Sequence, residues 1–406
     1  MIVVNVTTSN PSQIITPFVT TQDATTTMAE TVVILGAGYA GIGIAHMLLK
    51  HTRPKVKELT VVLVSPTTHH YWNMAAVRGI IPGEFADEQL FKAIEPGFEN
   101  YPQNAFKFVL GTATGIDITT NSVCVKTASD ITTLGYTHLI IATGSSYPGS
   151  LPFTIVGTYE ASISALHSLQ EEVKTAKSIV IAGGGPTGVE TAGELAQTFG
   201  DTKQITLITS GDKPLPGLRS DVGNSAAVEL ERLKVKIIPG VHVTSTNTTD
   251  HQASVTLSDG QTLLADLYLP LYGMRPNSQF IPAQLLDSRG NLKLDKNLRV
   301  TGVDNVWGVG DVGDLEPKQL IYAERQAIHL GKNLDAVLVG RKEDVKDLKP
   351  AVTPQVFVTI GKKTGTGQYN WVKIPGFVVS AAKGRTFFSD KGSGLIAGKN
   401  IVRSSI

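Results

Sequence analysis

Cysteine is nearly absent from this chain: the 406 residues include one, Cys124. A single cysteine excludes an intramolecular disulfide framework, a Cys-x-x-Cys redox pair and a zinc site made of several cysteines. Cys124 lies in an alternating strand pattern, NSVCVKT, and we interpret it as a small core residue. A reducing compartment is compatible with this content, and we expect a cytoplasmic protein.

Long apolar runs and basic residues near the N-terminus are also missing. No apolar run reaches the roughly 18 residues that a membrane-spanning helix needs. Residues 1–30 are rich in threonine and contain neither lysine nor arginine. That composition argues against a mitochondrial transit peptide and against a signal peptide with a basic start. We interpret 1–29 as a flexible arm, with a short edge strand as the alternative. Met28 precedes the first predicted strand, so a shorter form beginning there is a further hypothesis.

The net charge is +1 overall but is unevenly distributed. Residues 341–406 contain 12 Lys or Arg against 4 Asp or Glu, a net charge of +8, with six aromatic residues interleaved. We expect a small α+β domain here. Its basic, aromatic face either contacts an anionic membrane or lines a substrate pocket, or it is a solvated face over an aromatic core. Nucleic-acid binding is a further hypothesis, and the net charge of +1 for the whole chain argues against it.

What the chain does contain is 40 glycines, and two glycine-rich motifs organise it. The first follows a β-branched run, in TVVILGAGYAG, with glycines at 36, 38 and 41, and an apolar segment of helical spacing comes next. Strand, Gly-x-Gly-x-x-Gly turn and helix form the context in which this motif binds a dinucleotide pyrophosphate. The second motif, SIVIAGGGPTGVE at 178–190, repeats this order with glycines at 183, 185 and 188.

The strand after each glycine motif ends without the usual carboxylate. The first, at 58–64, is followed by Ser65, whose hydroxyl can bond a ribose. The second, at 204–209, is followed by Ser210 and then by Lys213. An acidic residue there would repel a 2′-phosphate, so its absence leaves NADH and NADPH both open.

Further candidates lie between and after these motifs. Arg78, in YWNMAAVRG, is either a pyrophosphate partner, since its fork suits phosphate oxygens, or a surface arginine. Residues 106–125 alternate and predict an antiparallel meander. A buried strand then ends in Ala-Thr-Gly at 142–144, and LYLPLYG at 267–273 occupies the corresponding place in the second half. Near the end, NVWGVGDVGD places Asp311 to accept a hydrogen bond from a ribityl hydroxyl, or to cap a helix.

In this order and spacing, GAGYAG, NMAAVR, ATG, GGGPTGVE and GVGDVGD resemble the two-dinucleotide flavoprotein reductases. Within that group the chain most resembles the apoptosis-inducing-factor-like ferroptosis suppressor proteins, and more distantly the type II NADH dehydrogenases. The likeness covers about residues 31–399. The missing Cys-x-x-Cys separates the chain from disulfide reductases of the same fold.

The resemblance implies a non-covalent FAD, NADH or NADPH as hydride donor, and reduction of a quinone or similar acceptor. It places Glu190 near the nicotinamide and Lys383 in a C-terminal segment that supports activity, and we take both as candidate catalytic residues. We expect no metal site. The candidate FAD residues are Gly36, Ala37, Gly38, Tyr39, Ala40, Gly41, Ser65, Arg78, Ala113, Thr143, Gly144 and Asp311; those for the nicotinamide nucleotide are Gly183, Gly185, Pro186, Thr187 and Gly188.

Two features depart from the family. The chain starts Met-Ile, whereas the animal members start with a Met-Gly myristoylation signal. Its C-terminus contains glycine and serine and is not clearly amphipathic, unlike the membrane-binding C-terminal helices of the bacterial and mitochondrial quinone reductases. Contact with a membrane through the C-terminal segment is therefore one hypothesis among others.

We predict an α/β fold with two Rossmann-like dinucleotide-binding domains, as in glutathione reductase, and a small α+β C-terminal domain. The predicted boundaries are 30–150 and 265–340 for a discontinuous FAD domain, 151–264 for the inserted NAD(P)H domain and 341–406 for the C-terminal domain. We predict hydride transfer from NAD(P)H to FAD and on to a quinone-type acceptor. The alternatives are a biosynthetic flavoenzyme that converts one metabolite with O2, and an NAD(H)-sensing protein with little turnover. The expected partner is a small-molecule acceptor, and the chain is expected to be a monomer or a homodimer.

Overall fold

A computed structural model describes residues 29–249 and 252–399. The residues 1–28 of the predicted arm, including Met28, lie outside this part. The strands are β1 (Glu30–Leu35), β2 (Leu59–Ser65), β3 (His69–Tyr71), β4 (Phe91–Ala93), β5 (Phe106–Leu110), β6 (Thr112–Asp117), β7 (Ser122–Lys126), β8 (Ile131–Gly135), β9 (His138–Ile141), β10 (Ser145–Ser146), β11 (Ser178–Ala182), β12 (Gln204–Ile208), β13 (Lys236–Ile238), β14 (Val243–Thr249), β15 (Gln252–Leu257), β16 (Thr262–Ala265), β17 (Leu267–Pro270), β18 (Arg275–Pro276), β19 (Val306–Gly308), β20 (Gln355–Ile360), β21 (Thr364–Tyr369) and β22 (Val372–Ile374).

The helices alternate with these strands, as expected for an α/β chain. They are α1 (Tyr39–Met47), α2 (Ala76–Gly79), α3 (Asp87–Leu90), α4 (Tyr159–Thr175), α5 (Pro186–Phe199), α6 (Ser220–Arg232), α7 (Leu320–Leu338), α8 (Gly376–Val379) and α9 (Gly392–Ile396). Two π-helical turns, Leu48–Thr52 and Ser380–Gly384, extend α1 and α8.

Two parallel sheets form the centre of the fold, which confirms the predicted α/β class. The first has the order β19-β9-β1-β2-β5, and the second has the order β13-β12-β11-β17. The chain leaves the first sheet after β9, builds the second, and returns to the first at β19. The strands predicted at 58–64 and 204–209 lie beside β1 and β11 with parallel register.

The strands that precede the two glycine turns bury both of their faces. In β1, Val32 and Ile34 pack in the cluster that contains the helical residues, whereas Val33 and Leu35 pack against the antiparallel strands β6 to β8. In β11 the same division holds: Ile179 and Ile181 face the helices, and the two residues that alternate with them face β14 to β16. Each half is therefore three layers, with helices, parallel sheet and meander.

Two details of the sequence prediction are wrong. The segment predicted as one meander from 106 to 125 is divided: β5 is the parallel edge strand of the first sheet, and β6, β7 and β8 form the meander. Cys124 is partly exposed, because its neighbours Val123 and Val125 in β7 are the residues that face the core. Successive side chains of a strand point to opposite faces, so Cys124 points away from it.

The C-terminal segment forms a third, antiparallel sheet, β20-β21-β22, with α8 and α9. This sheet packs on α5: a Cβ placed on Gly193 would lie 2.8 Å from Cα of Ile360 in β20. The missing side chain at this glycine lets the helix and the strand approach closely. No helix of the described chain is long and apolar enough to cross a membrane.

Candidate functional site

The first glycine turn joins β1 to α1 and is closed by the end of β9. Gly36 has φ of +105°, and a Cβ on it would lie 2.4 Å from the carbonyl oxygen of Ala142. A Cβ on Gly41 would lie 1.9 Å from the carbonyl oxygen of Gly36. The middle glycine, Gly38, has open space where its Cβ would be. A ligand can therefore approach the backbone at Gly38, as a bound pyrophosphate requires.

The second glycine turn has the same construction. Gly183 has φ of +123°, and its Cβ would lie 2.3 Å from the carbonyl oxygen of Leu271. Gly188 approaches the carbonyl oxygen of Gly183, and Gly185 again faces open space. Leu271 thus does for this turn what Ala142 does for the first, so the sequence LYG serves the same structural purpose as ATG.

Both helices begin at an end that is free to bind an anion. Gly38 and Gly185 are the N-cap residues of α1 and α5; neither cap has a side-chain hydrogen bond, and neither first turn contains an acidic residue. Unpaired N–H groups and the helix dipole then favour a phosphate. Pro186 is the first residue of α5, where its missing N–H costs nothing. The two turns fit two dinucleotides.

The chain crosses between the two halves at two adjacent turns. Oγ1 of Thr143 donates to the carbonyl of Asn277 at 2.7 Å, and Nδ2 of Asn277 donates to the carbonyl of Thr143 at 2.9 Å. β10 then pairs with β18. These reciprocal bonds fix Thr143 and Gly144 relative to the return strand, which the sequence did not indicate.

Asp311 lies in a short 3-10 turn after β19. Its Oδ2 accepts a hydrogen bond from Oγ of Ser145 at 2.9 Å. Burial raises the pKa of the Asp311 carboxyl, and the Ser145 hydroxyl and the Lys318 charge oppose that rise. α7 begins only at Leu320, with Gln319 as its N-cap, so the alternative of Asp311 as a helix cap is wrong. A half-buried carboxylate with acceptor capacity left over fits the ribityl role.

Tyr147 brings the two cofactor regions together. Burial raises the pKa of its phenol, a hydrogen bond with Thr187 opposes that rise, and the charge of Asp311 adds to it. Thr187 is in the first turn of α5, and Asp311 belongs to the first sheet. Tyr147 therefore lies close enough to a residue proposed for FAD and to one proposed for the nicotinamide nucleotide for both to affect the pKa of its phenol. Sequence analysis missed Tyr147, although it lies three residues after the ATG turn.

Glu190 and Lys383, the two candidate catalytic residues, form a buried ion pair. Nζ of Lys383 donates to Oε1 of Glu190 at 2.6 Å and to the carbonyl of Phe357 at 3.1 Å. The same Oε1 accepts from the backbone N–H of Thr359 at 2.9 Å. Glu190 is 4% exposed and Lys383 is 9% exposed, so the pair has little contact with water. The pair connects α5 to the C-terminal sheet and to the π-helical turn at 380–384.

Arg78 is buried, so the alternative that it is a surface arginine is wrong. It is 1% exposed, and Nε and Nη2 donate to the two carboxylate oxygens of Glu194 at 2.6 and 2.8 Å. Nη2 and Nη1 also donate to the carbonyls of Gly384 and Arg385 at 2.8 and 3.1 Å. Four of its five N–H groups are thus used within the chain. The structure gives Arg78 a role in joining three parts of the chain, and a bond to a cofactor phosphate stays a prediction.

The remaining predicted residues have the following surroundings. Tyr39 is part of the core near its turn: its hydroxyl donates to Oδ1 of Asn73 at 3.0 Å, and its ring lies 5.1 Å from that of Trp72. Ser65 is buried at the end of β2, where its Oγ accepts from the N–H of Thr67 at 3.3 Å. Ala113 lies in β6. Cofactor contacts for these three stay predictions. His69 and His70 form part of β3, and His70 is buried.

The aromatic residues of the C-terminal segment divide between core and surface. Phe387 is fully buried, whereas Trp371 is 73% and Phe377 is 74% exposed. The aromatic-core interpretation therefore holds for Phe387 but not for Trp371 and Phe377, and contact of this segment with a membrane or a substrate stays a prediction. The surface aromatics lie on the β21–β22 turn and on α8, and the described chain shows nothing that covers them.

Comparison with known proteins agrees with this geometry. A family model described as pyridine nucleotide-disulphide oxidoreductase matches residues 30–327. The chain belongs to this family. Oxidoreductase ptaL of Pestalotiopsis fici is 40% identical over 88% of the chain and 96% of that protein. Ferroptosis suppressor protein 1 of Xenopus laevis is 30% identical over 89% and 94%.

The fold of this oxidoreductase extends beyond the family model. It superimposes on NDH2 of Plasmodium falciparum with a TM-score of 0.72 and 14% identity, covering 92% of this chain and 99% of that one. The predicted resemblance to ferroptosis suppressor proteins and to type II NADH dehydrogenases is confirmed. The chain is an NAD(P)H-dependent oxidoreductase of the flavoprotein type, with a flavin and a nicotinamide cofactor.

Proposed function

We propose that the chain binds FAD at the first glycine turn, takes hydride from NADH or NADPH bound at the second, and reduces a quinone-type acceptor. The observation that carries this is the pair of matched turns, whose middle glycines, Gly38 and Gly185, both face open space at the start of a helix. Bound FAD would accept two electrons as hydride from the nicotinamide and pass them on to the acceptor. The chain itself supplies alignment and charge.

Each site residue then has a defined task. Asp311 accepts a hydrogen bond from a ribityl hydroxyl, and Thr143 with Gly144 supports the same region. Glu190 orients the nicotinamide, because its Oε2 is not used by Lys383 or Thr359. Lys383 supplies a positive charge that offsets negative charge developing on the reduced acceptor. A C-terminal surface with Trp371 exposed suits an acceptor that is delivered at a membrane.

The relatives favour a second candidate. Oxidoreductase ptaL and oxidoreductase phnG of Penicillium herquei, at 40% and 32% identity, are fungal proteins named only for oxidoreduction, and both exceed ferroptosis suppressor protein 1 in identity. Neither name specifies a quinone, so we keep as the second candidate an enzyme that converts one metabolite and returns its electrons to O2. The same cofactor site serves both candidates, so they differ only in the acceptor.

The test begins with the flavin. Acid denaturation of purified protein should release FAD, identified by chromatography, at close to one per chain. NADH and NADPH are then compared as donors, with a short-chain ubiquinone and with O2 as acceptors. Saturable quinone reduction well above the O2 rate supports the first candidate. A protein without any flavin would contradict both.

A further inference from the structure

The ion pair of Arg78 and Glu194, called the clamp below, contacts the chain immediately after Lys383. Gly384 and Arg385, whose carbonyls accept from Arg78, are the two residues that follow Lys383 in the chain. They end the π-helical turn at 380–384, where backbone carbonyls lack partners within the turn. π-helical turns occur often at functional sites. Arg78 therefore holds the end of the turn that carries Lys383.

The ring of Phe387 is shared by both cations. The guanidinium carbon of Arg78 lies 4.6 Å from its centroid, and Nζ of Lys383 lies 5.5 Å from it. Phe387 and Phe388 have φ of +51° and +58°, a conformation that is unfavourable for aromatic residues. Such strain persists only where surrounding contacts fix the chain. Nε1 of Trp72 supplies one contact, since it donates to the carbonyl of Phe387 at 2.8 Å.

The two glutamates of α5 complete the arrangement. Glu190 and Glu194 are four residues apart and so lie on the same face of the helix. Glu190 receives Lys383 from the C-terminal segment, and Glu194 receives Arg78 from the segment after β3. Both pairs are buried. The side chains of Lys383 and Glu190 are 11% and 5% exposed, and those of Arg78 and Glu194 are 2% exposed each. Because Gly384 accepts from Arg78 and directly follows Lys383 in the chain, a displacement of Arg78 also displaces Lys383.

We propose that Arg78 and Glu194 are positioning residues: they fix the π-helical turn so that Nζ of Lys383 stays on Glu190 at the site of electron transfer. This inference rests on the proposed function of Lys383. A planar guanidinium makes bonds to Glu194 and to both carbonyls at once, and a lysine ammonium at the same place has neither the reach nor the fork geometry. A positive charge at position 78 is therefore not enough to fix the turn, because the geometry of the guanidinium is needed as well.

The first test is independent of turnover. Trypsin cleaves after lysine and arginine, and Lys383 and Arg385 lie in the clamped turn. We expect Arg78→Lys to raise the rate of tryptic cleavage at these two positions at least fivefold in the folded, flavin-loaded protein, read by mass spectrometry. Arg299→Lys is the matched control, because Arg299 also stacks on an aromatic ring, that of Trp307, but lies outside the clamp. Equal cleavage in both variants and the wild type would overturn the proposal.

The second test is a double-mutant cycle on the rate at which the reduced enzyme is reoxidised by a short-chain ubiquinone. We expect Arg78→Lys to lower that rate about tenfold, and to have little further effect in a Lys383→Met background. Glu194→Gln, which keeps the side-chain volume, serves if Arg78→Lys does not fold. Additive losses would overturn the positioning inference alone. An unchanged rate in Lys383→Met by itself would instead contradict the proposed function of Lys383.

Discussion

Nζ of Lys383 lies 2.6 Å from Oε1 of Glu190, although 193 residues separate the two in the chain. Resemblance had suggested each residue separately, and the fold joins them in one buried pair. Glu190 comes from α5, whose N-terminus is the proposed site of the nicotinamide nucleotide, and Lys383 from the C-terminal segment. The pair is therefore the point at which the donor side and the acceptor side of the proposed reaction meet.

Breaking this pair should affect the two halves of the reaction differently. We expect Glu190→Gln to slow flavin reduction by NAD(P)H about tenfold or more, and Lys383→Met to slow reoxidation by quinone. Removing one partner leaves the other charge buried and unpaired, which costs roughly 3–5 kcal/mol of stability. The double variant Glu190→Gln/Lys383→Met removes both charges, so it should regain stability without regaining activity. Single variants with wild-type rates in both half-reactions would contradict the assigned roles.

The open space at Gly185 predicts a selective loss of nucleotide binding. Gly185 has φ of −74°, which alanine adopts freely, and its Cβ would meet nothing within 4 Å. Gly185→Ala should therefore fold and keep its flavin, while the Kd for NADH rises at least tenfold because the methyl group occupies the approach of the pyrophosphate. Gly135→Ala, at a glycine of β8 that also has open space, is the control. Unchanged NADH affinity in Gly185→Ala would show that this turn does not bind the nucleotide.

Asp311 should determine how tightly FAD is held. An amide has one acceptor oxygen in place of two, and Ser145 already donates to this side chain. A hydrogen bond to a charged group is worth about 1.5–3 kcal/mol, so Asp311→Asn should raise the Kd for FAD about tenfold to a hundredfold. Equilibrium dialysis or flavin fluorescence on dilution measures this. Asp314→Asn, three residues on and half exposed, is the matched control and should leave the flavin bound as in the wild type.

His46 predicts how stability depends on pH. Its ring is fully buried, bonded to the carbonyl of Ile396 at 2.7 Å and to the hydroxyl of Tyr101 at 2.9 Å, and burial lowers its pKa from 6.5 to about 4. The unfolded chain then binds a proton that the folded chain does not, so the free energy of unfolding falls as the pH drops from 6.5 towards 4. One such group contributes about 1.4 kcal/mol per pH unit.

Replacing His46 tests this directly. His46→Gln should flatten the slope of unfolding free energy against pH between 6.5 and 4, measured from denaturant titrations. The exposed side chain of His242 makes His242→Gln a control for the replacement of a histidine as such. An unchanged slope in His46→Gln would mean that this histidine is not held neutral by the fold.

Local sequence patterns predicted the parts of the structure that local physics determines. The glycine turns, the strands before them and Asp311 follow from spacing and backbone sterics within a few residues. The prediction of one meander over 106–125 was wrong because β5 is an edge strand of a parallel sheet. Exposure alternates along such an edge strand as it does along a meander strand, so the two have the same sequence pattern. The prediction for Cys124 was wrong because Val123 and Val125 flank it, and β7 has only one buried face, the one that carries these two valines.

Contacts between distant segments are the part that the sequence left open. Arg78 and Glu194 are separated by 116 residues and pair only once α5 packs against α2 and against the C-terminal sheet. A signal was present: Glu190 and Glu194 are two carboxylates four residues apart, on one face of the helix. Buried charges require partners, but the pattern does not say which cations supply them.

Anaerobic stopped-flow absorbance of the purified protein, mixed first with NADH or NADPH and then with a short-chain ubiquinone, tests most directly whether the two glycine turns serve one electron-transfer site. We expect fast loss of the flavin absorbance with at least one donor, followed by fast recovery on adding the quinone. Recovery with O2 but not with quinone would transfer the proposal to the metabolite-converting enzyme. Flavin that neither nucleotide bleaches would contradict the claim that the two glycine turns serve one electron-transfer site.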